Sequence, residues 1–430
     1  MLFTAEMRPV PYRDKVLVVG TTPDYIEWIR RSCPDRALFL TDPDVRRKAL
    51  EPSPAPAEEL LCNLTDYGEV RRVTQGHLQR ENFRLDGVAC FDCESLELAA
   101  TLAQEFSLPY PSVQAVENCR NKYLTKTLWQ RHNLATPRIG QIRSAGEAAE
   151  FFREIGGPCV LKPTGGSGSE LIFFCDSAHA CRQNFMKIIA GLGQRCDNRL
   201  YRSFSAADPV ILAEEFIAGT EYSCDFAIEN GRVDVLRLTR KIVSSQGPFG
   251  TALGYLLPGT LPEEIKVADL EQTLYQSALA LGIDRAICML DFMVCKNQIV
   301  LLELSPRPGG DCLPSLLRRC WNLDMIALYL DFCQQRAWQF QKPADVTPCL
   351  GLRLHAGRSG SLKKVDTSRL RDDRRVREIN LVRLPGHRIN MPPDDYDSWL
   401  LGHIISDLDV DTAPEDQCRQ LLEKLVVEVE

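Results

Sequence analysis

Two rhythms of apolar positions run along the 430-residue chain. Short unbroken apolar blocks such as Lys15-Val-Leu-Val-Val-Gly20 predict buried strands, and three-to-four-residue spacing predicts helices. Up to about residue 115 the two alternate. A strand at 15–20 precedes a helix over 23–32 and a strand near Ala37–Leu40. Asp86-Gly-Val-Ala-Cys-Phe-Asp92 and a helix over Leu96–Phe106 continue the series. This order predicts a parallel α/β sheet that opens like a nucleotide-binding half-fold. Gly20-Thr-Thr-Pro-Asp-Tyr25 lacks the G-x-G-x-x-G pattern, so no dinucleotide is specified. Pro52, Pro54 and Pro56 mark a connecting loop.

From Asn121 to about Phe332 the strands come in hairpins, with helices expected at 122–132, 145–154, 178–191 and 266–281. Glu229-Asn-Gly-Arg232 is a strong hairpin turn between Tyr222–Ile228 and Val233–Leu238. Arg240–Gly259 carries four glycines and two prolines and reads as a long polar loop, a lid or substrate loop. After Gln341-Lys-Pro343 short strands (349–354, 376–384) and an amphipathic helix (414–425) predict a small α+β tail. No internal repeat is visible. The expected domains are 1–115, 116–335 and 336–430.

The segment Ala286–Gly310 carries the most chemistry. Two apolar runs, 287–295 and 299–304, flank the polar turn Lys296-Asn297-Gln298 and predict a hairpin. Folding about Asn297 sets Asp291 opposite Glu303, about 4.5–5.5 Å apart at Cβ. Carboxylates that close repel unless a cation lies between them. Ser305 and Arg307 follow at steps of two on the same extended face. The pattern suits Mg²⁺ held by oxygens, with a guanidinium to grip an anion. An edge aspartate and a loop-capping arginine would produce the same residues without a metal, so the rest of the chain has to decide.

Cys159-Val-Leu-Lys-Pro-Thr-Gly-Gly-Ser-Gly-Ser169 is a strand ending in Lys162, then a glycine-rich loop. Gly165, Gly166 and Gly168 let backbone N–H groups converge on a phosphate, with Ser167 and Ser169 as further donors and Lys162 as the charge. It is not a P-loop, because the lysine precedes the glycines. A flexible hairpin is the bland alternative; a lysine closing an apolar run favours an anion. Pro209–Tyr222 is another strand, leading into Glu214 and Glu215, which point to opposite faces, with Glu221 beyond the turn at Ala218-Gly219.

Composition narrows the partners. A hydrophobic fraction of 44% with 25% charged residues fits a globular protein with ample core, and a net charge of −7 argues against nucleic-acid or membrane-surface binding. No apolar run approaches the roughly 18 residues of a membrane span. Met1–Arg8 lacks signal-peptide regions, so a cytoplasmic location is expected. The 17 cysteines, among them Cys159, Cys288 and Cys349, then read as reduced core thiols. Cys90-Phe-Asp-Cys93 has no second ligand pair nearby. The run Arg369–Arg377 is interrupted by acids and reads as a solvated helix face.

The order Lys122, Val-Leu-Lys162-Pro with its glycine loop, Glu214-Glu-Phe-Ile217 with Glu221, Asp291, and Glu303-Leu-Ser-Pro-Arg307 resembles the ATP-grasp superfamily over residues 15–332. The tail from Cys349 and Pro-Arg-Pro-Gly-Gly-Asp311 are most similar to its carboxylate–amine ligases, the L-amino-acid ligase or dipeptide-forming group. The resemblance implies an α/β and α+β ATP-grasp fold with an N-terminal Rossmann-like (pre-ATP-grasp) domain. It also implies an ADP-forming ligase that uses ATP and Mg²⁺, with Mn²⁺ as an alternative. Lys122 and Lys162 would hold α/β-phosphates, and loop 165–169 would close over β/γ-phosphates. Glu214 and the backbone of Glu215, Phe216 and Ile217 would meet adenine, and Glu221 the ribose. Asp291 and Glu303 would bind two Mg²⁺ ions. Ser305 stands where the family usually has Asn, a shorter ligand for the second metal. Arg307 would stabilise an acyl phosphate, and Arg240 and Lys241 would serve the lid. The implied partners are small-molecule carboxylate and amine substrates and, because many such enzymes are dimers, a second copy of the chain. A purine-pathway ligase acting on a ribosyl phosphate and a non-catalytic nucleotide-binding module are the competing readings.

Overall fold

The computed structural model describes residues 12–195, 198–201, 204–244, 247–342 and 347–430. Met1–Arg8 therefore lies outside the described residues, as do Ser245 and Gln246 of the expected lid. Backbone contacts divide the chain into two compact units, the first running to Val113 and including Ile326–Gln339, the second formed by Gln114–Met325 and Phe340–Glu430.

In the first unit β1 (Arg13–Val19), β2 (Ala37–Thr41), β3 (Glu59–Leu61) and β4 (Phe83–Ala89) form a parallel sheet of order β3-β2-β1-β4. Val16–Val19 and Leu38–Leu40 are buried, the signature of strands covered on both faces. Residues 326–339 are tied to this sheet. Arg36 pairs with Asp331 at 2.7 Å, and Gln334 donates to Asp86 at 2.7 Å. Gly87 is needed there, since a Cβ would meet the Cys333 carbonyl oxygen at 2.7 Å.

The second unit holds a small antiparallel sheet of β5 (Ile139–Ile142), β6 (Cys159–Pro163), β7 (Phe173–Cys175) and β8 (Ile211–Glu215), ordered β5-β8-β6-β7. Helices Ala145–Ile155 and Ala178–Gly193 accompany it, each started by a serine, Ser144 and Ser177, whose side chain accepts an N–H of the first turn.

The larger sheet contains β9 (Thr220–Glu229), β10 (Arg232–Val243), β11 (Ala252–Leu257), β12 (Ala286–Cys295) and β13 (Gln298–Ser305). It continues without a break into the tail. After β14 (Cys349–His355) and β15 (Gly360–Asp366) come β16 (Val376–Leu381), β17 (Arg388–Ile389), β18 (Leu400–Asp407) and β19 (Val426–Val429), and the sheet runs β13-β12-β9-β10-β11-β14-β18-β16. The tail strands β14, β18 and β16 thus share a sheet with the preceding segment, because Leu256 and Leu257 pair with Leu350 and Cys349, while β17, β15 and β19 form a three-stranded sheet of their own. The hairpin turns use left-handed residues, Asn230 (φ 52°) with Gly231 (φ 77°), and Lys296 (φ 49°) with Asn297 (φ 61°).

Alternation gives this sheet two unlike faces. Tyr222, Cys224, Phe226, Ile228, Leu290, Phe292 and Leu304 pack with Leu270, Leu274 and Trp129 in one buried cluster. Trp129 is wholly enclosed and its indole donates to the Ser277 carbonyl at 3.0 Å. The other face carries the polar residues.

Three expectations are corrected. The long loop 240–259 is mostly a hairpin, since β10 runs to Val243 and β11 starts at Ala252; its glycines mask the alternation of Leu253, Tyr255 and Leu257. Arg369–Arg377 is not one helix: a single turn, Ser368–Arg371, gives way to the start of β16, and Arg377 pairs with Asp407 at 2.5 Å. Cys349 is not a free thiol but is disulfide-bonded to Cys320, with the Cα atoms 6.4 Å apart.

Candidate active site

The β12/β13 hairpin pairs Asp291 with Glu303, and a register shift follows between Asp291 and Phe292. On β9, Ser223 lies opposite Asp291 and Glu221 opposite Met293. On β10, Thr239 lies opposite Ser223. Residues in register share a face, so Glu221, Asp291, Glu303 and Lys241 project from the same side of the sheet. Lys241 bridges two of the acids, with its ammonium 2.5 Å from Glu221 Oε1 and 3.1 Å from Asp291 Oδ2. Burial works against that ammonium, but Asp291, Glu221 and Tyr255 outweigh it and hold Lys241 protonated well above its ordinary range.

Lys122 opens the helix Lys122–Arg131, whose first N–H groups are capped by Asn121. Its ammonium meets Glu303 Oε1 at 3.2 Å and the Gly166 carbonyl at 2.9 Å. One turn on, Lys126 reaches Glu214 Oε1 at 2.7 Å and the Leu302 carbonyl at 2.6 Å. Lys162, near the end of β6, takes the other Glu214 oxygen at 2.7 Å. Burial raises the Glu303 carboxyl, yet Lys122, Lys162 and Lys126 more than offset it and hold the group below its usual range. Glu214 behaves the same way between Lys126 and Lys162. Lys126, fully enclosed, is itself pulled down to about 8 by burial, against the attraction of Glu214.

Between β6 and β7 the loop Gly165–Ser169 takes left-handed conformations at Gly166 (φ 107°), Gly168 (φ 67°) and Ser169 (φ 61°). Ser169 Oγ donates to the Gly250 carbonyl at 3.0 Å, so this loop touches the β10/β11 turn. Phe216, beyond β8, packs edge-on to Phe174 at 5.0 Å, and Phe249 of the same turn joins them. Glu215 points away from Glu214 and pairs with Arg138 at 3.1 Å. Ile217 is half-buried just before β9.

Ser305 closes β13 and is buried. Arg307 is no longer on an extended strand, since its N–H donates to the Ser305 carbonyl at 2.9 Å. The loop after it is anchored from below: the Gly309 N–H donates to Asp225 Oδ1 at 2.9 Å, and Asp225 is locked to buried Arg237 at 2.7 Å.

Of the residues expected in the site, Lys122 with Glu303, Lys162 with Glu214, and Lys241 with Glu221 and Asp291 form three groups of ion pairs, the first and third joined through the backbone pairing of Asp291 with Glu303. Ser167 and Ser169 sit on the adjoining loop. Arg240 is not brought in. It lies on the opposite face of β10 from Lys241 and pairs with Glu415 at 3.0 Å. Sequence reading missed Lys126, although its i+4 spacing from Lys122 puts both on one helix face. It also missed the Asp225–Arg237 support.

The donors fit a hard cation. Asp291 Oδ1 is buried with no hydrogen-bond partner among the described residues, and the lysine ammoniums stand where counter-ions to the carboxylates are needed. The glycine loop and lysines at its mouth fit a polyphosphate.

The ATP-grasp domain family matches residues 155–315, the stretch from just before β6 to past Arg307. The chain contains an ATP-grasp domain. Its fold is that of the L-amino acid ligase from Bacillus licheniformis, with a TM-score of 0.80 at 22% identity over 97% of this chain and 99% of that one. In sequence it is 28% identical over 213 residues to a D-alanine–D-alanine ligase of Acidovorax ebreus, covering 47% of this chain and 58% of the relative. It is 23% identical over 263 residues to human carnosine synthase 1, covering 58% and 31%. The chain thus spans less than two thirds of these two curated relatives. In the ATP-grasp domain the small sheet carries the glycine loop, Lys162 and Glu214, and the large sheet carries Glu221, Asp291 and Glu303. Among the described residues no helix is long and apolar enough to cross a membrane.

Proposed function

We propose that the chain is an ATP-dependent, ADP-forming carboxylate–amine ligase that joins an amino acid or small carboxylic acid to an amine. The observation that carries this reading is the cross-strand pair Asp291–Glu303, each acid paired with a lysine from another element, Lys241 and Lys122, beside a glycine loop. Such a site suits phosphoryl transfer, where positioning and charge neutralisation supply most of the catalysis. Amino-acid substrates are favoured because two of the similar proteins are named as an L-amino acid ligase and a D-alanine–D-alanine ligase.

In the proposed cycle a carboxylate oxygen of the acid attacks the γ-phosphorus of ATP, forming a C–O–P linkage and releasing ADP. The amine nitrogen then attacks the acyl carbon, the C–O bond to phosphate breaks, and amide and phosphate leave. Lys122 and Lys162 exchange their carboxylate partners for phosphate oxygens. Loop 165–169 donates N–H groups to the terminal phosphates. Phe216 and the neighbouring backbone flank the base, and Glu221 accepts from the ribose hydroxyls. Lys241, held protonated, steadies charge at the transferring group, and Arg307 neutralises the acyl phosphate. Asp291, Glu303 and Ser305 would hold Mg²⁺, which supplies charge neutralisation across the phosphates when bound. The turn between β10 and β11, rather than the whole of 240–259, shields the intermediate from water. The parallel sheet of the first unit supports its reading as the pre-ATP-grasp part.

Phosphate release from Mg-ATP against a matrix of paired amino acids and small acids tests the proposal, with Asp291→Asn and Glu303→Gln alongside. Release that requires both an acid and an amine, and is lost in both variants, is expected. Release that is independent of the second substrate, or intact in the variants, would overturn it.

A further inference from the structure

Three cysteines meet away from the phosphate side of the small sheet. Cys159 opens β6 and Cys175 closes β7, and the two are cross-strand partners. Cys181 lies in the first turn of the helix Ala178–Gly193. All three are wholly buried. Their sulfurs lie within 4.8 Å of one another, with Cys159 and Cys181 at 3.6 Å. A metal bound by three thiolates at about 2.3 Å spaces its sulfurs by about 4 Å, so the cluster needs little adjustment to close on an ion.

The donor set narrows the ion. Among the described residues no histidine or carboxylate joins the three thiols. Sulfur-only ligation selects soft ions, and zinc almost always takes four ligands where only three are supplied. Asn184, three residues after Cys181, donates its amide N–H to Cys175 Sγ at 3.4 Å and to the Phe174 carbonyl at 3.3 Å. That is the kind of outer contact that orients a ligand and offsets its charge. We propose that Cys159, Cys175 and Cys181 form a three-coordinate thiolate site for monovalent copper. Binding releases the thiol protons to solvent and transfers no electrons. The ion would tie β6, β7 and the following helix together at the base of the hairpin whose turn is the glycine loop.

The test uses the full chain, reduced and anaerobic, titrated with Cu(I) against a competing Cu(I) chelator. One equivalent retained per chain, with thiolate-to-copper absorption, is expected. Cys175→Ala and Cys181→Ala should abolish retention, Asn184→Ala should weaken it about 10-fold, and Cys288→Ala, a buried thiol of the large sheet, should leave it intact. Alkylation followed by peptide mapping gives a readout free of variants: copper should protect Cys159, Cys175 and Cys181 selectively. Retention unchanged in both cysteine variants, protection at other cysteines, or retention of Zn²⁺ in place of Cu(I) would overturn the assignment. So would oxidation of Cys159 and Cys181 to a disulfide under hydrogen peroxide with no copper retained.

Discussion

Replacing Lys241 with methionine isolates the electrostatic logic of the acid pair. The ammonium is about one-tenth exposed and sits between carboxylates that are about one-fifth exposed. Unit charges about 3 to 4 Å apart at an effective dielectric constant near 20 interact by about 4 to 5 kcal/mol, which partial exposure to solvent brings down to about 3 kcal/mol. That matches the low end of the cost of removing one partner of a buried pair. Unfolding the second unit, about 300 residues, carries an entropy of about 0.6 kcal/mol per kelvin, so Tm should fall by about 5 °C. The same ammonium competes with any cation for Asp291. Its removal should tighten nucleotide-free Mg²⁺ binding by a similar free energy, about 100-fold. Thermal melts of both proteins across a Mg²⁺ series measure the two effects together. The variant should start lower and gain more from the cation. Parallel Mg²⁺ responses, or a variant as stable as the parent without Mg²⁺, would refute the reasoning.

Further expectations bear on other parts of the site. Arg240→Ala should change the kcat/KM of the ligase by less than about threefold, because its partner is the exposed Glu415, whereas Lys122→Ala should raise the KM for ATP. Gly309→Ala would press a methyl to 2.7 Å from Leu313 Cδ1 and 3.1 Å from Arg237, shifting the loop that carries Arg307, so kcat should drop more than ATP affinity. The pH dependence of stability should report Lys126. Its folded pKa of about 8 lies below the ordinary 10.5, so the folded state disfavours the proton, and the penalty is fully present below about pH 8. Between about pH 8 and 10.5 the folded state sheds that proton first. Relative to Lys126→Met, the parent should therefore gain about 2 kcal/mol from pH 7.5 to 9.5 in urea denaturation. A constant difference between the two proteins would contradict it.

Folding about Asn297 places Asp291 opposite Glu303, and the structure reaches that pairing by another route: a two-residue turn pairs Cys295 with Gln298, and the register shift after Asp291 brings Glu303 rather than Leu302 opposite it. The lysine at the end of β6 was readable because a charge closing an apolar run needs a reason. Lys126 was hidden for the opposite reason: its partner Glu214 is distant in sequence, and a helical lysine looks solvated until the fold buries it. Arg240 was drawn in by its neighbour, although adjacent strand residues face opposite ways. Glycines in β11 disguised a strand as a loop. Two of the tail's strands, at 349–354 and 376–384, were legible, whereas β15, β17, β18 and β19 were not, and the union of the tail with the large sheet depends on pairings such as Leu256 with Leu350, which no local pattern encodes.

That union limits how the protein can be dissected. A fragment ending near residue 335 would keep every residue proposed to meet phosphate but strip β14 from β11, leaving a row of amide and carbonyl groups open along one edge. Exposed edges of this kind recruit other strands. Such a fragment should self-associate through β11, so the minimal folding unit around the ATP-grasp site includes the strands that follow it.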